Sequence, residues 1–263
     1  MSYGPNPWQQ KHWDWRAAAN FMLGGTGAGL LVASAIGVPS PRLAILVSLL
    51  LIAGGLGAVW LEIGRKLRAI HVFFNPRTSW MTRESFAALV LFALGLCALL
   101  LPQAWLVYAC ALAALAFVYC QARILRASKG IPAWRASAVV PLILASALAE
   151  GAGAALLFET GPVALLFAEL ALIARLIAWY RFRAALRREL RPGALEDVGR
   201  ILVLLGTIVP LVLVPAAYIA PEVAPLAAFA LIATGWWFKL TLVTRAAFNQ
   251  GFALPHLPVR GVR

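Results

Sequence analysis

The stretch AAANFMLGGTGAGLLVASAIGV, residues 17–38, decides how the rest of the chain is read. Its centre, Gly25-Thr26-Gly27-Ala28-Gly29, has the glycine density of a dinucleotide-binding loop. Such a loop works only where a strand turns into a helix, because free backbone amides there point at a pyrophosphate. Here no charged residue interrupts the stretch, and its length matches the about 20 apolar residues that cross a bilayer as a helix. Inside a helix the amides are already bonded one turn back. Small residues then serve a different purpose, close approach of a second helix, and Gly25 and Gly29 stand in GxxxG spacing. The reading is a membrane span.

Working outward, the whole composition agrees. The chain has 263 residues, 62% hydrophobic and 13% charged, with a mean hydropathy of +0.84. A soluble domain carries about a quarter charged residues. The gap excludes an ordinary soluble enzyme, a disordered chain and a nucleic-acid binder built on a soluble scaffold. Seven further apolar runs lie near 42–62, 85–102, 104–122, 136–158, 162–181, 200–220 and 223–243. Short turns separate some of them, at Pro39-Ser40-Pro41, Leu101-Pro102-Gln103, Thr160-Gly161-Pro162 and Pro221 to Pro225. The connections 63–84, 123–135 and 182–199 are longer and charged. The expected fold class is all-α: one integral membrane domain, 1–263, forming a polytopic bundle of eight transmembrane helices. Met1 to Trp15 is polar and Trp-rich, unlike a cleavable signal peptide.

Charge orients the bundle. The formal net charge is +13, and eight spans gather 21 of the 23 Lys and Arg residues on one face, leaving Arg42 on the other and Arg175 inside a helix. Basic loops stay in the cytoplasm, so both termini and all long connections are expected there. Trp60, Trp80, Trp105, Trp134 and Trp179 fall near span ends and read as interfacial anchors. Gly24 to Leu31 in the first span echoes Glu150 to Leu157 in the fifth. A parallel four-plus-four repeat explains the echo; so does the recurrence of small-residue stripes in any bundle.

Cys97, Cys110 and Cys120 have no CxxC spacing, and His12, His71 and His256 all lie outside the spans. Haem held by axial His on membrane helices, an iron–sulfur cluster and a metal site in this chain are therefore not expected. Charges within the spans are the positive signal: Glu150, Glu169, Arg175 and, nearer the basic face, Lys239. They call for an ion pair or a wet cavity, read either as a structural pair of Arg175 with Glu150 or Glu169, or as a proton path. The densest polar cluster sits at the basic boundary, from Glu62-Ile63-Gly64-Arg65 through His71 to Asn75-Pro76-Arg77-Thr78-Ser79-Trp80-Met81-Thr82-Arg83-Glu84, where Ser79 or Thr82 can cap a helix.

Those residues, with Trp13-Asp14-Trp15-Arg16 and Asn20 to Gly25 before them, resemble the NrfD/polysulfide-reductase membrane-subunit family. The stretch from Asn75 to Glu84 is also similar to dimethyl-sulfoxide-reductase anchor subunits. The likeness covers the first three spans by motif and the other five by topology. It implies a subunit that anchors a four-cluster iron–sulfur protein and a molybdopterin catalytic subunit, and that exchanges electrons with a membrane quinone, menaquinone or ubiquinone. It also implies residence in the bacterial cytoplasmic (inner) membrane. Asn20 and Tyr119 match the family's quinone contacts in depth and chemistry; no His stands on the first helix here, which leaves His71 and Glu62 as proton partners, with Arg123 beside them. Trp13, Trp15, Arg16, Arg77, Trp80 and Arg83 would form the docking surface. By its cytoplasmic side, the complex is closer to a phenylacetyl-CoA:acceptor oxidoreductase than to a periplasmic polysulfide reductase. A secondary transporter or proton-conducting subunit is the competing class, and it would carry its site at the midplane; a passive anchor without a site is the third.

Reporter fusions placed after residue 263 and in the 39–41 turn are expected to read opposite compartments, with the C-terminal fusion cytoplasmic. An exported C-terminal reporter would reverse the orientation.

Overall fold

The computed structural model describes residues 7–36, 41–186 and 194–251. Eight helices in it are long and apolar enough to cross a bilayer: α1 (Trp15–Ile36), α2 (Arg42–Glu62), α3 (Trp80–Leu100), α4 (Ala104–Ala127), α5 (Val139–Leu156), α6 (Pro162–Leu186), α7 (Leu195–Ala216) and α8 (Pro221–Val243). A 3-10 segment, Lys66–Phe74, joins α2 to α3, and a helical turn, Pro132–Arg135, precedes α5. The chain is an all-α, multi-pass membrane bundle. Large apolar side chains line its outside, among them Leu50, Leu112, Val212 and Phe229, each more than 60% exposed. Water would penalise that surface, whereas lipid tails solvate it.

Several helices run past their apolar runs. Ser79 caps α3, its hydroxyl accepting from the Thr82 N–H at 3.3 Å, so α3 starts at Trp80 instead of 85 and carries Glu84 on its second turn. Helix α4 continues to Ala127, which puts Arg123 and Arg126 on its last turns instead of in a loop. Hydropathy marks only the lipid-facing length; charged residues that snorkel to the boundary remain helical beyond it. The Pro39-Ser40-Pro41 turn, Arg187, Arg188, Arg191, His256, Arg260 and Arg263 lie wholly or mostly outside the described residues.

Two helices form the middle. Within their apolar windows α5 is 83% buried and α1 72%, against 28% for α3. They cross backbone to backbone. A Cβ built on Gly151 would stand 2.0 Å from the Gly29 carbonyl carbon, and one on Gly29 2.0 Å from the Ala147 oxygen. Helix α1 also packs on α2 and α4, and α5 on α6 and α8; α3 pairs with α4 as α7 pairs with α8. The packing of α1 on α2 and α4 is thus echoed by that of α5 on α6 and α8.

Not every tryptophan is an anchor. Trp60 and Trp105 are exposed, but Trp134 and Trp179 are 3% exposed. Trp134 donates from Nε1 to the Leu242 carbonyl at 2.8 Å and stacks on Trp13, while Trp179 packs against Phe238. Neighbouring helices enclose both rings at the bundle end, so sequence position near a boundary did not make them interfacial.

Gly151→Val is expected to abolish the folded bundle, because the new side chain meets α1 backbone instead of a movable side chain. Overpacking ordinarily costs about 1–3 kcal/mol, and a backbone clash more. Thermal unfolding in detergent, followed by size-exclusion chromatography, measures the loss; a wild-type melting temperature would refute the crossing.

Candidate functional site

A cavity of about 800 Å³ opens at the end of the bundle where Gln9 bridges Phe248. Helix α1 contributes Ala17, Asn20 and Phe21, α2 Leu56, Gly57, Val59, Trp60 and Glu62, and α3 Met81, Glu84 and Ser85. Trp13, Ile63 and Ile124 complete the walls, and Ala69, Ile70, Val72 and Phe73 of the 3-10 segment cover it. That segment is tied down by Thr82, whose hydroxyl donates to the Val72 carbonyl. Trp60 and Met81 are also exposed on the outside of the bundle.

Two buried polar side chains reach this cavity. Asn20 Nδ2 donates to Glu84 Oε1 at 2.8 Å, with Asn20 5% and Glu84 6% exposed. Gln121 on α4 closes the cluster, donating from Nε2 to the Asn20 backbone carbonyl at 2.9 Å. Asn20 Oδ1 and Gln121 Oε1 have no protein partner. Asn20 stands where α1 widens into a π-turn, Asn20–Gly24. A wider turn opens its carbonyls sideways, and such turns are frequent at functional sites.

The rim is charged. Asp14 caps α1 and pairs with Arg16 at 2.8 Å, and this hydrogen bond holds the Asp14 carboxyl below its ordinary range. Arg16 Nη1 reaches the Leu61 carbonyl at 3.4 Å, next to Glu62, which is half-buried in the cavity wall. Trp13 is held between the Trp134 and Phe21 rings at centroid distances of 5.0 and 6.3 Å. Of the docking residues inferred from sequence, Trp13 is therefore part of the wall, whereas Trp15 is 62% exposed and Arg77 is exposed.

The structure divides the five residues assigned to a quinone. Asn20 and Glu62 line the cavity. His71 is exposed on the 3-10 segment, its Nδ1 3.1 Å from the Arg68 carbonyl and its ring edge-on to Phe74. Tyr119 and Arg123 share an outer face of α4: Arg123 Nη1 donates to the Tyr119 hydroxyl at 2.7 Å. The Arg83 and Arg123 guanidinium groups each lie 4.2 Å from the Trp80 ring centre, and Tyr119 meets Trp80 edge-on. Trp80, Arg83, Tyr119 and Arg123 are one aromatic–cationic cluster outside the cavity, worth about 0.5–1 kcal/mol per exposed cation–π contact.

In the bundle interior the charges pair differently from the sequence expectation. Glu150 binds Lys239, Oε2 to Nζ at 2.7 Å, with both side chains fully buried. Lys239 is thereby removed from the basic face. Thr26 donates to the same Glu150 oxygen at 2.9 Å and accepts from Trp236 Nε1 at 2.8 Å, while Lys239 also donates to the Phe21 carbonyl at 2.8 Å. Gly25 and Gly235 make the space: a Cβ on either would stand 2.3 Å from Lys239 Nζ or 2.4 Å from Glu150 Oε1, respectively. Gly25, read as half of a helix-packing pair with Gly29, instead accommodates the ammonium. Arg175 does not form an ion pair with Glu150 or Glu169. It is fully buried and donates to the carbonyls of Leu231 and of Gly206, the latter inside a second π-turn, Leu204–Ile208. Glu169 is half-buried on α6.

Sequence reasoning missed Glu84 and Gln121 as site members. Glu84 ended a motif that was noticed, but starting α3 at residue 85 left it in a loop. Gln121 gave a signal, as an amide within an apolar helix, that was not followed. No family model matches the chain, and no curated protein does.

Lys239→Met leaves a buried carboxylate without its counter-charge and is expected to destabilise the bundle by about 3–5 kcal/mol. The double variant Lys239→Met/Glu150→Leu should recover most of that loss. Melting temperatures of the single and double variants in one detergent check the pair; equal losses in both would refute the coupling.

Proposed function

We propose that the chain is the quinone-reactive membrane subunit of an oxidoreductase complex, exchanging electrons between a docked iron–sulfur subunit and the membrane quinone pool. The observation that carries this reading is the cavity of about 800 Å³ at the basic face, with apolar walls converging on Asn20 and Glu84. Its size lies within the about 300–1,000 Å³ of pockets that enclose a small organic ligand. An aromatic head group with oxygens fits such walls, with the polar pair fixing its orientation. Trp60 and Met81, exposed on the outside, give an isoprenoid tail a path along α2 and α3 to the lipid.

A quinone supplies the redox chemistry, and the protein supplies position, dryness and protons. Asn20 and Glu84 hold the head group, Trp13 and Phe73 exclude water, and Glu62 at the rim connects the cavity to the aqueous face. The soluble subunits, a four-cluster iron–sulfur protein carrying a molybdopterin catalytic subunit, dock on the same face, because electron transfer needs a short path from cluster to head group. Exposed Trp15 and Arg77, together with the cluster around Trp80, supply the aromatic and Arg side chains that favour interfaces. By the charge rule this face is the cytoplasmic side of a bacterial inner membrane, so the catalytic substrate is cytoplasmic, as for a phenylacetyl-CoA:acceptor oxidoreductase. The transporter reading has the buried Glu150–Lys239 pair in its favour, but those side chains are bonded to each other and do not line the cavity.

Titration of the purified chain in detergent with menadione or decylubiquinone is expected to quench tryptophan fluorescence saturably, since Trp13 and Trp60 stand in the wall. Asn20→Ala should weaken binding about tenfold, the worth of roughly one hydrogen bond. Gly57→Phe, at a position where a Cβ meets nothing within 4 Å, should block it by filling the cavity. Quenching that never saturates, or that persists unchanged in Gly57→Phe, would overturn the reading.

A further inference from the structure

We propose that the 3-10 segment Lys66–Phe74 is an interfacial anchor whose basic side chains hold anionic phospholipid headgroups while its apolar side chains enter the lipid boundary. The membrane then keeps the cover of the cavity in place, whatever occupies the cavity. Three residues per turn divide the segment into three stripes. Ala69 and Val72, one turn apart, line the cavity. Arg68, His71 and Phe74 form a second stripe, in which the His71 ring meets Phe74 edge-on and its Nδ1 lies 3.1 Å from the Arg68 carbonyl. Leu67 and Ile70 belong to the third.

What the two outer stripes expose is unsuited to water. Leu67, Ile70 and Phe74 are 93%, 61% and 69% exposed, and no residue of the segment is buried. Large apolar side chains interleaved with basic ones suit the boundary between headgroups and acyl chains, where each kind meets its own solvent. The contacts of the segment place it along that boundary. Lys66 Nζ lies 4.6 Å from the ring centre of Trp60 on α2, and Phe73 meets Phe86 on α3 edge-on. Trp60 and Phe86 are both exposed, on the two least buried of the eight spans. Each end of the segment therefore rests on an aromatic ring of the surface that faces lipid.

Charge selects the headgroup. Residues 63–83 include Arg65, Lys66, Arg68, Arg77 and Arg83 but no Asp or Glu. Arg65, Lys66 and Arg68 are exposed, and among the described residues no ion pair engages them. A phosphodiester supplies the missing anion, and a guanidinium fork matches its oxygens. Each cation near an anionic membrane surface strengthens attachment about fivefold. Within the protein, the Thr82 hydroxyl fixes the α3 end of the cover through the Val72 carbonyl. Leu67, Ile70 and the three cations fix the α2 end through the lipid.

The test places the full-length chain, without partners, in nanodiscs of phosphatidylcholine or of equal parts phosphatidylcholine and phosphatidylglycerol. Hydrogen–deuterium exchange of residues 66–74 should be about tenfold slower with phosphatidylglycerol, because opening the cover then breaks its headgroup contacts. Inorganic phosphate added to phosphatidylcholine discs should leave the exchange fast. The variant Arg65→Gln/Lys66→Gln/Arg68→Gln should lose the difference between the two lipids, with exchange in α1 unchanged as proof of an intact bundle. Depth is read from a nitroxide on Leu67→Cys in a Cys97→Ala chain, since Cys110 and Cys120 are buried. Oxygen, which dissolves in lipid, should reach this label better than a water-soluble nickel chelate does. Equal exchange in the two lipids overturns the proposal, and so does slowing by inorganic phosphate, which makes the surface a site for free anions. A label reached better by the nickel chelate also overturns it, and leaves the segment as an aqueous face for a soluble protein.

Discussion

The contact between the backbones of α1 and α5 at Gly29 and Gly151 sets the geometry of everything around it. With no side chain on either glycine, the two most buried helices lie in direct backbone contact. That crossing carries Glu150, adjacent to Gly151, to within a hydrogen bond of Thr26 on α1. A carboxylate there has lost its water, and isolated charge in a medium of low dielectric constant is too costly to leave alone. Lys239 supplies the compensation from α8, and Gly25 and Gly235 supply the volume. Three helices are joined at one point by the combination of close approach and charge.

From that point an irregular turn extends the connection to the cavity. In the π-turn Asn20–Gly24, the Phe21 carbonyl accepts from Lys239 and the Asn20 carbonyl from Gln121. A regular helix spends its carbonyls on its own amides; the widened turn presents them to side chains as well. Gly206 does the same for Arg175 in the second π-turn. Backbone polarity thus does inside the bundle what water does at its ends, consistent with the rule that nonhelical or distorted backbone within a membrane occurs where protein groups satisfy it. The Asn20 side chain reaches Glu84 from that turn, so the orientation of the cavity's polar groups and the packing of the interior charges share one segment of chain.

The eight spans were legible because they depend on uninterrupted apolar length, which is written along the chain. Asn20 and Glu62 were legible as cavity residues through depth and motif. The partners of the interior charges were not. Arg175 and Glu150 look complementary in sequence, yet two π-turns and two glycines redirect them to carbonyls and to Lys239, and neither feature has a clear signature in hydropathy. Tyr119 and Gln121 show a similar limit: they are two residues apart on α4, about 200° around a helix of 3.6 residues per turn. Depth alone does not say which of them turns toward Asn20, and the structure turns Gln121 inward onto the Asn20 carbonyl and Tyr119 outward.

Residues near the two ends of the described chain are laced together. Gln9 bridges Phe248, the Gln10 amide donates to the Ala247 carbonyl, and the Asn249 amide to the Trp8 carbonyl. The Gln10 side chain also bonds the Val243 carbonyl and the backbone of Trp13, the residue that walls the cavity. A ribosome makes Trp13 before α2 exists and residues 243–249 only after α8 is finished. The wall is therefore completed by a segment made after α8, and during biogenesis the cavity takes its final shape only after all eight helices have been synthesised.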